Sequence, residues 1–174
     1  MPIQQPQVNQ LKITPQNSNL AGIGGWLILP AIGLPIGLLK ILFGCYDLIK
    51  TYSVPGVLDL MTTPSTKFYV PYLFGLLTFE ALINIFFIAN ISYAIYLFFT
   101  KSVKAPKTII LFYIVYSLGM LVDTILSMVL IPENLTKDVL GSQIGAVIGA
   151  FLTLAIWGTY FYRSERVKNT FINP

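Results

Sequence analysis

Histidine is absent from this chain, cysteine occurs once, and charged side chains are scarce. Without histidine there is no imidazole for acid–base catalysis, no Ser-His-Asp triad and no His-ligated zinc, haem or copper. Cys45 alone makes no intrachain disulfide, CxxC motif or thiolate cluster. The acidic residues outside the apolar stretches are scattered and form no calcium-loop pattern. The sequence therefore calls for no catalytic residue, no cofactor and no metal. Charged residues are 10% of the 174 positions and hydrophobic ones 55%, whereas an average soluble domain is about 25% charged. The mean hydropathy is +0.74. So little charge cannot furnish the polar surface of a soluble globule, and it excludes a disordered chain and a nucleic-acid partner. An integral membrane protein is left. Its partners are the lipid bilayer and either other membrane proteins or further copies of itself. The net charge of +4 then reflects the basic bias of cytoplasmic loops.

What is present is organised in four apolar runs: Ile23–Cys45, Val70–Phe99, Thr108–Ile131 and Gly141–Tyr162. About 20 residues cross a hydrocarbon core, so each run is long enough to span as a helix. Short connections after the second and third runs make neighbouring helices antiparallel. The expected fold is an all-α four-helix membrane bundle over residues 22–171, with a polar, disordered tail at 1–21 and a short tail at 172–174. Lys12, then Lys101, Lys104 and Lys107, then Arg163, Arg166 and Lys168 fall on one side of the membrane. Only Lys50, Lys67 and Lys137 fall on the other. By the positive-inside rule both termini are cytoplasmic. Trp26 and the group from Trp157 to Tyr162 are expected to anchor the inner interface. Tyr46, Tyr52, Tyr69 and Tyr72 are expected at the outer one. The long outer loop Tyr46–Tyr69 carries turn signals at Pro55-Gly56 and Pro64-Ser65. Val57, Leu58, Leu60 and Met61 between them suit a short interfacial helical turn.

Several local strings resemble a known family. Gly22-Ile23-Gly24-Gly25-Trp26-Leu27 opens the first run, and Leu60-Met61-Thr62-Thr63-Pro64 precedes the second. Phe79-Glu80 and Asn84 lie in the second run, and Asp123 in the third. Tyr162-Arg163-Ser164-Glu165-Arg166-Val167-Lys168-Asn169-Thr170-Phe171 closes the chain. Together they resemble the domain-of-unknown-function 2569 family, from about Gly22 to Phe171. The resemblance implies a four-helix inner-membrane protein of bacteria and no particular activity. Ser65 and Val70 depart from the family pattern before the second run, so no histidine role carries over there.

The most informative residues are ionisable groups at membrane depth. Each costs about 2.5–3.5 kcal/mol at a helix centre and calls for compensation. From the expected helix ends, Glu80 lies roughly 15 Å, Asp123 roughly 12 Å and Lys40 roughly 8 Å below the outer face. Asn84 shares the face of Glu80, and Ser127 continues a stripe through Tyr116, Gly119 and Asp123. Two readings stand. Lys40, Glu80, Asn84, Asp123 and Ser127 form either an outward-opening polar pocket for protons or a ligand, or a sealed hydrogen-bonded cluster that fixes helix packing. The small residues Gly33 and Gly37 in the first run, and Gly141, Gly145 and Gly149 in the fourth, are expected to pack helices closely inside the bundle. Pro30 and Pro35 are expected to kink the first helix. Arg163, Arg166 and Lys168 suit anionic headgroups if the fourth helix continues inward.

Functionally, the sequence points first to a non-enzymatic accessory or scaffolding protein of the bacterial inner membrane. The alternative is a small transporter or proton-coupled carrier centred on Glu80 and Asp123. An inverted repeat, the common mark of transporters, is not evident.

Overall fold

The computed structural model describes residues 21–131, 133 and 140–174. The polar tail, with Lys12, lies outside these residues except for Ala21, as does Lys137. A 3-10 turn, Gly25–Leu27, leads into α1, Ile28–Tyr52. Then come a one-and-a-half-turn α2, Val57–Thr62, and the long helices α3, Leu73–Phe99, and α4, Ala105–Leu130. α5 is Leu140–Arg163, and a short α6, Glu165–Thr170, ends the chain. No strand forms among the described residues. A lone parallel bridge joins Ser102 to Asn173.

The chain is thus all-helical, and α1, α3, α4 and α5 are each long and apolar enough to cross a membrane. Helices are the natural outcome for such runs, because in hydrocarbon every backbone N–H and C=O must be paired within the segment. Large apolar side chains point outward all along them: Phe43, Leu82, Ile85 and Val129 are each more than 60% exposed. In water that surface would be untenable, and in lipid it is the solvated face.

α1 runs well past the expected end at Cys45, through Asp47 and Lys50 to Tyr52. Thr51 and Ser53 donate their hydroxyls to the carbonyls one turn back, of Asp47 and Ile49. Polar side chains therefore do not stop this helix. It stops before Pro55, whose ring disfavours helical backbone in the preceding residue. Pro35 stays inside α1, where it leaves the carbonyl of Ala31 without its helical donor. α2 occupies the stretch between the two turn signals.

The long helices pack in the order α1, α3, α4, α5, with extensive contact between each neighbouring pair. α1 and α5, at the two ends of that row, make no comparable contact. The compact core lies at the end of the bundle where the first described residues and the C-terminus meet. Phe98, fully buried, is its hub, with ring centroids 5.2 Å from Phe171 and 6.4 Å from Phe161. Leu27, Ile109 and Val167 complete it. Phe161, expected as an interface anchor, is instead a core residue, whereas Trp26, Tyr162, Tyr46 and Tyr72 are exposed at the helix ends as belt aromatics are.

The C-terminal string closes this end. α5 does not continue inward. It breaks at Ser164, whose hydroxyl accepts from the Val167 amide and caps α6. Thr170 then donates to the carbonyl of Gly22 at 3.0 Å. Asn173 pairs with the α3–α4 turn through its amide N–H to Lys101 O (3.0 Å), its carbonyl to Val103 N–H (2.7 Å) and its side chain to Thr100 O (2.7 Å). The guanidinium of Arg166 lies against Gly24 and Gly25, within 3.2 Å of where a Cβ on Gly24 would be. Gly25 has φ +54, which favours glycine. Lys168 is paired with Glu165 at 2.6 Å. The headgroup expectation is narrowed accordingly: Arg166 packs on the N-terminal turn, while Arg163 and Lys168 are both exposed and Lys168 is paired with Glu165.

Candidate functional site

Beside the compact core the helices separate and leave two adjoining cavities. The smaller, about 270 Å³, is lined by Lys40 and Gly44 of α1, Glu80 and Asn84 of α3, and Gly119 and Asp123 of α4. Four of the five residues in the expected polar cluster therefore share one cavity. Ser127 does not line it, and it is buried at 3% exposure. The depths differ from the sequence estimate because the helix ends differ. Glu80 lies about 10 Å in from Leu73 and Asp123 about 10 Å in from Leu130, but Lys40 lies about 18 Å from Tyr52. α1 thus projects beyond its neighbours at this end, carrying Asp47 and Lys50 with it.

The polar groups are close without being paired to one another. Asn84 donates its amide to the backbone carbonyl of Glu80, one turn back on its own helix, at 2.9 Å. Among the described residues no ion pair within 4 Å joins Lys40 to Glu80 or Asp123. Glu80 and Asp123 are within electrostatic reach of each other. Asp123 Oδ1 is fully shielded from solvent and has no hydrogen-bond partner. Glu80 and Asp123 line a cavity, and Asp123 Oδ1 has no donor, so the cluster is not mutually satisfied.

The larger cavity, about 490 Å³, adjoins the first and shares Lys40, Ile41, Tyr116 and Met120 with it. Beyond them its walls are mainly apolar, including Leu34, Phe112 and Trp157. Tyr116 stands at the junction, stacked on Phe112 at 5.7 Å and edge-on to Phe87 at 5.1 Å. Along α1 the two cavities run from Leu29 to Leu48, about 28 Å of helix. That is close to the thickness of a hydrocarbon core, about 30 Å.

The small residues do different work from that expected. Gly37 alone of the five approaches another helix, with Ile91 Cδ1 at 3.2 Å from a built Cβ. At Gly33, Gly141, Gly145 and Gly149 nothing among the described residues lies within 4 Å. Gly33, Gly37 and Gly149 line the larger cavity, so their lack of side chains leaves space between α1 and α5. The tightest approach is at Gly119, where a Cβ would stand 2.5 Å from Phe87 Cζ. In the sequence Gly119 is merely part of a polar stripe. Lone glycines opposite an aromatic leave no spacing signal, which is why GxxxG counting overlooks it.

Four membrane-length helices around a row of intramembrane cavities define the pattern of a small multi-pass membrane protein. The family model described as protein of unknown function (DUF2569) matches residues 20–172, and the chain belongs to that family. No curated protein and no solved structure matches it.

Proposed function

We propose that this protein is a non-enzymatic carrier or ligand-binding protein of the bacterial inner membrane, with both termini cytoplasmic and Glu80 and Asp123 as its polar binding groups. The observation that carries this reading is the pair of adjoining cavities along α1, with an unpartnered carboxylate oxygen at Asp123. Intramembrane ionisable groups that face a cavity mark ligand or ion pathways. The distribution of Lys and Arg supports the orientation.

Thiol accessibility tests the reading. In a Cys45→Ser background, Gly44→Cys and Met120→Cys line the cavities, whereas Phe43→Cys and Ile85→Cys face lipid. A water-soluble thiol reagent is expected to modify the first two and spare the second two. Equal protection of all four means a dry, sealed interior and overturns the carrier reading.

A scaffold role is the second reading, favoured by α5. Of its apolar 18-residue stretch only 11% is buried, against 22%, 28% and 22% in the corresponding stretches of α1, α3 and α4. Its Gly141 and Gly145 have open space beside them among the described residues, the kind of surface another transmembrane helix takes.

A further inference from the structure

We propose that the ligand is a lipophilic cation, entering sideways from the bilayer between α1 and α5. This deepens the carrier reading and rests on it.

The shape of the site sets the apolar part of the ligand. The larger cavity is bounded on one side by α1 and on the other by α5, the two helices of the row without extensive mutual contact among the described residues. Gly33 on α1 and Gly149 on α5 face this gap, and neither meets another described residue within 4 Å. A ligand dissolved in the bilayer therefore reaches the cavity without crossing the compact end. Phe112, Tyr113 and Trp157 offer it aromatic faces, which favour cations as well as apolar bodies.

Charge sets the polar part. The adjoining cavity holds two carboxylates, Glu80 and Asp123, against one amine, Lys40. Lys40 is not within ion-pair distance of either, and its long stem keeps the ammonium free to move away. Like-charged carboxylates near one another inside a membrane are relieved by a proton or by a counter-charge. A cationic head in this cavity supplies that counter-charge to Glu80 and Asp123, which both line it. A neutral body supplies no such charge.

Tetraphenylphosphonium and the neutral triphenylphosphine oxide are suitable probes, because both carry a phenyl-rich body and only one carries charge. Binding is measured by equilibrium dialysis against the full-length protein in phosphatidylcholine nanodiscs, with empty discs subtracted. The cation is expected to bind roughly tenfold more tightly than the neutral compound. Joint substitution Glu80→Gln and Asp123→Asn is expected to erase that difference. Gly149→Leu or Gly33→Leu, which fill the gap where a side chain meets no neighbour, are expected to weaken both probes while leaving the melting temperature in place. Adding phosphatidylethanolamine to the discs identifies the source. Competition points to an amine-headed lipid, and its absence points to a freely partitioning cation. Equal binding of both probes, insensitive to the carboxylate substitutions, overturns the cationic ligand but leaves the carrier reading intact. Undiminished cation binding in both Gly149→Leu and Gly33→Leu overturns entry between α1 and α5. Failure of the carrier reading itself shows separately, as protection of Gly44→Cys and Met120→Cys from the thiol reagent.

Discussion

Thr170 donates its hydroxyl to the backbone carbonyl of Gly22, 148 positions earlier, at 3.0 Å. Thr170 is 2% exposed, so its removal strands a carbonyl with little access to water. Thr170→Val is expected to cost about 1–3 kcal/mol, while Thr170→Ser keeps the donor and most of the stability. Thermal unfolding in detergent, together with hydrogen exchange over Ile23–Leu27, measures both.

Arg166 and Arg163 separate structural from surface roles in the basic C-terminus. Arg166 lies against Gly24 and Gly25, and Arg163 is exposed. Arg166→Gln is expected to loosen the N-terminal turn and lower the melting temperature. Arg163→Gln is expected to leave it unchanged. If a purely electrostatic hold on headgroups governed this segment, the two substitutions would behave alike, and both effects would fade with salt.

Glycine substitutions distinguish close packing from space. At Gly119 a methyl group would run into Phe87, and Gly119→Ala is expected to destabilise the bundle by about 1–3 kcal/mol, as overpacking does. Gly145→Ala has open space among the described residues and is expected to be neutral in the isolated protein. A loss of self-association in Gly145→Leu, read by sedimentation in detergent, would instead support the scaffold role of α5.

Phe98 anchors the compact end, touching rings from α5 and the chain terminus. Phe98→Ala is expected to cost about 3–5 kcal/mol. Phe43→Ala, at a position 66% exposed, is expected to change stability by less than about 0.5 kcal/mol. Comparing the folded fractions of the two variants in denaturant distinguishes a packed centre from a lipid-solvated face.

Orientation is open to a direct check. In a Cys45→Ser background, Asp59→Cys on α2 is expected to react with a membrane-impermeant maleimide added to intact cells. Labelling only after the membrane is opened would reverse the proposed sidedness.

Much of the helix plan is legible in the run lengths, because a bilayer demands about 20 apolar residues per helix and leaves few alternatives. The extension of α1 to Tyr52 is not legible that way. Asp47 and Lys50 end the hydropathy signal, but they do not end a helix that has left the hydrocarbon. For the site, depth arithmetic is enough to bring Lys40, Glu80, Asn84 and Asp123 to a common cavity. Ser127, on the same stripe one turn nearer the end of α4, falls outside it.

The sequence by itself determined four apolar helices, a scarcity of charge that identifies the exceptional residues, and two specific strings at the chain ends. Those properties follow from composition and local periodicity. Only the tertiary structure decided that the end strings clasp each other, that Gly119 and not the GxxxG rows makes the tightest approach, and that Asp123 lines a cavity with Oδ1 left without a donor. Contacts between residues far apart in the chain depend on how helices rotate and separate, and no local pattern encodes the space left between them.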